Sequence, residues 1–336
     1  MVKVAIVGCG GIGKFHSTVY TLLPDVKVIA TADIRREQAE LAAQAHQAGV
    51  FASINDLLEA EKPDVVDICT PTHLHPEMSI HAMQAGCHVL CEKPMALDVE
   101  SAESMLGMAQ KSGVTLMIAQ VIRFWDEYVY LKNALDQQTF GPLKQAWFSR
   151  TGSTPRWSWD NWFLDEQRSG LAPFDLHIHD TDYIYHLLGK PGAVRSTWIY
   201  EPGNPDFSYI HSDYQYSGDV LVGAEGGWCP ARVPFLATYR AIFAEAALEY
   251  RSDGGLTCFP NSSDPYPISL GEPIPAPSGI NIHTLRPYYN EIRYYIDCIQ
   301  GGVEPAIAPA RQTCDSLRLL LAEIQSAKNS LTVELR

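Results

Sequence analysis

Short apolar runs and helical periods alternate over the first third of the chain. Apolar runs at 2–7, 26–31, 65–70, 88–91 and 115–119 read as strands, and the segments between them repeat with a helical period. Parallel neighbours need a helical crossover, so this alternation predicts a doubly wound parallel sheet. After Gln120 the pattern changes to one helical stretch, a Trp-rich loop, a helix over 175–188 and a β-rich region over 192–259. There the period is two, and 207–216, 219–228 and 233–243 are aromatic and β-branched runs bounded by Gly, Pro, Asn or Asp, as antiparallel strands are. From Thr284 helices return, with Ile292, Tyr295, Ile296 and Ile299 on one stripe and Leu317, Leu320, Leu321 and Ile324 on another. Pro287 and Gly301 punctuate the first stripe, and a Pro/Ser/Asn-rich loop falls near 260–279.

The expected architecture is an α/β Rossmann-like domain over 1–120, followed over 121–336 by an α+β domain with a large, mostly antiparallel open sheet. Length agrees, since 336 residues at about 150 per domain is roughly two domains. With 46% hydrophobic and 19% charged residues the chain has the apolar content of a cored globular protein. A net charge of −14 repels phosphate polymers and anionic membrane surfaces, so neither nucleic acid nor a membrane is expected as a partner. The longest apolar run, 114–122, falls short of a membrane span, and the first apolar run ends at Gly8 too early for a signal peptide. Eight scattered cysteines, several in apolar runs, suit buried reduced thiols in the cytoplasm, which makes the Asn261-Ser262-Ser263 sequon a chance match.

Candidate chemistry begins at Gly8-Cys9-Gly10-Gly11-Ile12-Gly13, a G-x-G-x-x-G run between an expected strand and an expected helix. Gly8 would permit the tight turn, Gly10 the approach of backbone N–H groups to a pyrophosphate, and Gly13 close helix–strand packing. Asp33 ends the second strand 20 residues beyond Gly13, where a carboxylate accepts both ribose hydroxyls of NAD. It would also repel the 2′-phosphate of NADP, by about 4 kcal/mol at 4 Å for an effective dielectric near 20. NAD is therefore expected, with NADP as the alternative because Arg35-Arg36 follows.

Glu92-Lys93-Pro94 comes directly after the strand at 88–91, at the carboxyl end of a parallel sheet, where such sheets bind ligands. A lysine there can donate to a substrate oxygen and stabilise a developing alkoxide, or it forms a surface pair with Glu92. If a helix begins at or just after Asp175, then Asp175, His179 and Asp182 share one face, while His177 points elsewhere. An Asp-oriented histidine is a good general base near neutral pH, although Asp residues opening a helix are also simply favourable to its dipole.

In order along the chain, these motifs resemble the Gfo/Idh/MocA family of glucose-fructose oxidoreductase and inositol dehydrogenase. The resemblance rests on Gly8 to Gly13 with Asp33, the stretch Asp67-Ile68-Cys69-Thr70-Pro71-Thr72-His73-Leu74-His75-Pro76, Glu92-Lys93-Pro94, Arg123-Phe124 with Tyr128, and Ser169 to Asp182 ending in Asp-x-x-x-His-x-x-Asp. It implies hydride transfer between NAD(P) and a secondary alcohol of a sugar or cyclitol, with Lys93, Asp175 and His179 catalytic. His179 would take the hydroxyl proton with Asp175 behind it, and Lys93 would polarise the oxygen. Implied cofactor contacts are Gly8, Gly10, Gly11, Ile12, Gly13, Asp33, Ile34, Arg35, Thr70, Pro71, His73, His75, Glu92, Lys93 and Gln120. Arg123 and Trp162 would join Lys93, Asp175 and His179 around the substrate, and the assembly would be a homodimer or homotetramer. Two positions depart from the family pattern: His177 replaces a usual Gly, and Leu171 stands where a glycine run continues. Trp157, Trp159 and Trp162 offer faces suited to a sugar ring, or pack beneath their loop.

Other readings use the same residues. A metal site could draw on Asp175, His177, His179, Asp180 and Asp182, or on Cys87, His88 and Cys91. Against it, Cys87 and Cys91 would sit about 13 Å apart along a strand, and His177 and His179 cannot share a helical face, so no metal is expected. A non-catalytic NAD-binding regulator, a dihydrodiol or biliverdin reductase and an NAD-assisted glycoside-cleaving enzyme remain as alternatives on the same fold.

Overall fold

In the computed structural model, which describes residues 1–201, 203–276 and 284–335, six parallel strands lie in the order β3-β2-β1-β4-β5-β6. They are β1 (Val2–Val7), β2 (Val26–Ala32), β3 (Gly49–Phe51), β4 (Val65–Ile68), β5 (His88–Glu92) and β6 (Leu116–Ala119). The order reverses between β1 and β4, the switch point at which doubly wound sheets open a crevice at their carboxyl edge. Between the strands run α1 (Gly11–Tyr20), α2 (Arg36–Gln44), α3 (Ile54–Ala60), α4 (His75–Gln84) and α5 (Val99–Ser112). Their ends are written locally: Ser53 and Asp98 cap α3 and α5 by accepting the backbone N–H of Asp56 and Ser101, and Gly113 closes α5 in the left-handed region. The edge strand β3 was not anticipated, because three half-buried residues are too short to show a period.

A second unit is built on nine strands, β7 (Leu143–Ser153), β8 (Ala193–Glu201), β9 (Asn204–Gln215), β10 (Leu221–Cys229), β11 (Leu236–Phe243), β12 (Ala246–Arg251), β13 (Gly255–Pro260), β14 (Tyr266–Pro267) and β15 (Val333–Glu334). Their order is β14-β13-β12-β11-β7-β10-β9-β8-β15, antiparallel except for the β7–β10 pair. Helices α6 (Asp126–Asp136), α7 (Glu166–Ser169) and α8 (Ile178–Leu188) belong to the same unit. The buried face carries an aromatic cluster in which Tyr128 meets Tyr183, Tyr239 and Tyr250 edge-on at 4.8, 5.2 and 5.5 Å. The other face is open, with Trp147 against His211 at 5.2 Å and exposed Ile199 and Phe207.

Strand β7 went unread in the sequence because Arg150 occupies a core-facing position, breaking the apolar alternation. Its guanidinium is buried against Asp180, donating to both carboxylate oxygens at 3.1 and 3.3 Å and to the Tyr128 hydroxyl. The expected helix over 175–188 also divides: Pro173–His177 is a π-helical turn, and regular α-helix starts at Ile178.

Among the described residues two further α-helices follow, α9 (Arg286–Gly301) and α10 (Ala310–Asn329). The first compact unit comprises Met1–Phe124 with Pro273–Cys314, and the second Trp125–Glu272 with Asp315–Arg336. This differs from a single cut at residue 120. The stripe of α9, with Ile292, Tyr295 and Ile296 fully buried, joins the first unit, where Tyr295 donates to the Thr115 carbonyl and Tyr288 packs edge-on to Phe15. The Pro/Ser/Asn-rich loop contains β14, and its end at 277–279 lies outside the described residues.

Candidate active site

At the carboxyl edge of the parallel sheet, β1 runs into Gly8 with φ +90°, and a Cβ there would lie 2.6 Å from the Cys69 carbonyl oxygen. A Cβ on Gly13 would lie 2.0 Å from the Gly8 carbonyl oxygen, so both glycines are demanded by the turn itself. Gly10 is different. Its backbone is extended, and the nearest atom to a Cβ is the Arg35 guanidinium at 3.4 Å. Nothing in the protein fold compels that glycine, whereas an approaching ligand would. Helix α1 begins beside it without a side-chain cap or an acidic first turn, leaving its N-terminal N–H groups and positive dipole end for an anion.

Asp33 is 8% exposed and ties this loop to β2: one carboxylate oxygen accepts from the Cys9 N–H at 2.9 Å, the other from the Arg35 N–H at 2.8 Å. Burial beside Asp33 and Asp67 pushes the Cys9 thiol up to about 12, so it is inert at neutral pH. Of the two arginines, Arg36 pairs with Glu40 on the surface, while Arg35 turns back toward Asp33 at 3.4 Å. Ile34 is exposed beside them.

Further along the same edge, β4, β5 and β6 deliver Thr70-Pro71, Lys93 and Gln120. Thr70 Oγ1 and Gln120 Nε2 are buried without a hydrogen-bond partner. Such orphaned groups beside the switch point, with the open Gly10 and the uncapped α1, fit a bound dinucleotide. His75 is buried with Nδ1 2.8 Å from the Pro94 carbonyl and Nε2 2.8 Å from the Thr70 carbonyl. Burial holds its imidazole below the ordinary histidine range, so the ring donates to one carbonyl at a time and bridges the loops after β4 and β5. His73 is exposed on the short 3-10 turn Thr72–Leu74 between β4 and α4. Glu92 is 7% exposed and accepts the Lys93 N–H at 3.1 Å; Lys93 is half-buried. Arg123 is buried and donates from Nη1 to the Ile307 carbonyl and to Gln312.

In the second unit the π turn places Asp175, half-buried, just before α8, and His179, half-buried, is the second residue of α8. The change of helix type replaces the simple i, i+4 relation expected for this pair; π turns concentrate at functional sites because they re-aim side chains. His177 does point elsewhere: its Nε2 lies 2.8 Å from Glu323 on α10, and both side chains are fully buried. Gly226 on β10 lets the turn pack this closely, since a Cβ there would lie 2.8 Å from His177 Cβ. Asp182 is buried, and Asp180 is engaged by Arg150. Trp162 stacks on Phe163 at 4.0 Å, with Trp157 edge-on to the same ring, while Trp157 and Trp159 are exposed. Among the described residues, neither of the metal-ligand sets considered from the sequence forms a converging group of three donors.

Sequence reasoning missed Glu323. It gathers hydrogen bonds from His177, Thr181, Ser212 and Tyr214, and so fixes the π turn that carries Asp175. It also missed His16, whose Nδ1 meets Asp67 at 2.9 Å. Both lie on helices whose periodicity marks them only as buried; no local pattern names their partners.

Comparison with known proteins separates the two sheet-bearing parts of the chain. The family model described as "Oxidoreductase family, NAD-binding Rossmann fold" matches residues 2–120, and the one described as "GFO/IDH/MocA C-terminal domain" matches 128–232. D-glucoside 3-dehydrogenase of Escherichia coli is 32% identical over 234 residues, covering 68% of this chain and 62% of that protein. Over 350 aligned positions, scyllo-inositol 2-dehydrogenase of Bacillus subtilis is 24% identical, covering 99% and 96%. The chain spans about three-fifths of the length of the first of these relatives. A solved levoglucosan dehydrogenase, in complex with NADH and L-sorbose, superposes with a TM-score of 0.86 at 20% identity, over 100% of this chain and 99% of that one. With family models matching both its parallel-sheet domain and its antiparallel-sheet domain, this chain belongs to the Gfo/Idh/MocA oxidoreductase family.

Proposed function

We propose that this chain is an NAD-dependent dehydrogenase passing a hydride between the nicotinamide and a secondary alcohol of a sugar, sugar derivative or cyclitol. The observation that carries the reading is the carboxyl edge of the parallel sheet, where the open Gly10 loop, the uncapped α1, the orphaned Thr70 and Gln120 and the half-buried Lys93 lie on consecutive strand ends. The named activities of the relatives, on glucosides and inositols, agree with it.

When bound, the cofactor supplies the hydride acceptor at nicotinamide C4. The α1 N-terminus and the Gly8 to Gly13 backbone would hold its pyrophosphate, and Asp33 its ribose, favouring NAD over NADP. Lys93 would donate to the substrate oxygen and stabilise the charge that grows there. His179 would take the hydroxyl proton, with Asp175 orienting the imidazole and supporting its cationic form. Arg123 and Trp162 would contact the substrate. The open face of the nine-stranded sheet, with Trp147, His211, Phe207 and Ile199, would join copies of the chain into a homodimer or homotetramer in the cytoplasm; sedimentation as a concentration-independent monomer would refute the assembly.

The test is NADH formation by wild-type and Lys93→Ala protein over a panel of inositols, hexoses, pentoses and simple glycosides at mildly alkaline pH. Lysine-dependent turnover of a panel member is the expected result. Turnover that survives Lys93→Ala unchanged would remove Lys93 from the chemistry. Silence across the panel with NAD binding intact would favour the glycoside-cleaving, reductive or regulatory alternatives.

A further inference from the structure

Beside the Glu92-Lys93-Pro94 turn sits a group of buried ionisable residues centred on His16 and Asp67, to which the proposed chemistry gives no role. His16, on α1, is fully buried between two carboxylates. Its Nδ1 lies 2.9 and 3.1 Å from the two oxygens of Asp67, on β4, and its Nε2 lies 3.3 Å from Glu92 Oε1, on β5. The second contact is a close approach rather than a directed hydrogen bond. The other carboxylate oxygen of Glu92 accepts the Lys93 backbone N–H at 3.1 Å. Asp67 also accepts from the Tyr20 hydroxyl and the Cys69 thiol.

We infer that His16 is a fixed imidazolium that positions Lys93: it clamps Glu92 from behind, and Glu92 in turn holds the backbone of the lysine. Charge accounting supports this. A neutral imidazole carries a proton on one nitrogen only, whereas this ring faces a carboxylate at each nitrogen, and only the cation turns an N–H toward both. The groups facing it from every packed element act together. From β4 and its exit come Asp67 and Cys69, from β5 comes Glu92, from α1 itself Tyr20 beside Asp67, and from α9 come Tyr288, whose ring is 5.9 Å away, Tyr295 and Glu291. Burial, Glu92 and Asp67 hold the Glu291 carboxyl well above the usual range, so it stays neutral. Burial opposes charge on His16, but the adjacent Asp67 carboxylate outweighs it and holds the imidazole well above the ordinary histidine range. The donor atoms of His16, Asp67 and Cys69 lie within 4.8 Å of one another, but the 2.9 Å Nδ1–Oδ2 contact has the length of a proton-bearing N–H···O bond.

The inference rests on the reading that Lys93 acts at the reacting oxygen, yet it is tested without substrate. In wild-type protein with 15N-labelled histidine, both ring nitrogens of His16 should remain protonated from about pH 6 to about pH 9. In His16→Gln, the Lys93 ammonium followed through 13C-labelled lysine should titrate about half a unit or more higher, because a neighbouring cation has gone. A merely structural role would leave that titration in place. Should His16→Gln fail to fold, Glu92→Gln removes the middle of the chain instead and should lower the pKa values of His16 and Lys93 together. An unprotonated ring nitrogen at neutral pH, an unmoved Lys93 titration, or a stoichiometric metal ion in the purified protein would each overturn the inference. Wild-type turnover by Lys93→Ala would instead overturn the reading of Lys93 and leave the state of His16 as measured.

Discussion

His177 Nε2 and Glu323 Oε2 meet at 2.8 Å in the core of the antiparallel-sheet unit, far apart in sequence and both fully buried. The contact locks the π turn of Pro173–His177 onto α10, and with it the approach to α8. Glu323→Ala strands His177, Thr181, Ser212 and Tyr214 without their shared acceptor, so it should lower unfolding free energy by at least about 2 kcal/mol. Urea denaturation followed by tryptophan fluorescence measures this, and a loss below about 0.5 kcal/mol would show the network to be dispensable.

Asp33 ties the glycine loop to β2 and, on the proposed reading, would also set the choice of cofactor. Asp33→Ala should raise the NADP-to-NAD ratio of kcat/KM by about tenfold or more, since the repulsion of a 2′-phosphate disappears. It should also cost about 1–2 kcal/mol of stability through the bonds lost from Cys9 and Arg35. An unchanged cofactor ratio would remove Asp33 from the ribose site.

Gly170 and Leu171 both adopt left-handed backbone, with φ +73° and +61°. Leu171 is buried against Trp228 and Ala172, so its packing offsets a backbone cost of about 1–2 kcal/mol. Shortening it should therefore show an inverted order: Leu171→Gly should be more stable than Leu171→Ala by about 0.5–1 kcal/mol, because alanine loses the packing and keeps the strain. Gly170→Ala should be severely destabilising, as a Cβ there would lie 2.2 Å from the Phe174 ring. Thermal melting of the three variants ranks them, and alanine above glycine at 171 would contradict the argument.

Glu291 makes stability depend on pH in a definite sense. Burial and the neighbouring Glu92 raise its folded pKa well above the ordinary 4.5, so the native state keeps a proton that the unfolded chain releases. Its contribution is therefore intact below about pH 4.5 and is lost as pH rises toward the folded value, at up to about 1.4 kcal/mol per pH unit. Glu291→Gln should flatten the decline between about pH 5 and about pH 8 and be more stable than wild type at the upper end. Parallel urea midpoints for the two proteins across that range would refute the assignment.

Much of the parallel-sheet unit was legible because its signals are local. The Gly8 to Gly13 turn, Asp33 at the end of β2 and Lys93 after β5 lie within one strand–turn–helix unit each, and the backbone demands at Gly8 and Gly13 are visible as residue type. Strands 207–216 and 219–228 were readable for the same reason, since alternation of buried and open positions repeats every two residues. The helix after Asp175 was legible in its apolar stripe but not in its π start, because that turn is set by contact with Glu323 and Gly226 and not by its own composition.

What the sequence determined alone, then, was the alternation of strands and helices in the first third, the β-rich character of the region that follows, the family and the residue types at the sheet edge, all set by backbone preference and period over a dozen residues at a time. Tertiary structure alone decided which buried charges meet. Arg150 is tolerable inside β7 only because Asp180 arrives opposite it, residues 273–314 join the first unit because the stripe of α9 finds its core there, and His16 lies between Asp67 and Glu92 because three elements converge. Desolvation makes an isolated buried charge costly, so each such residue is explained by a partner that only the folded chain brings within reach.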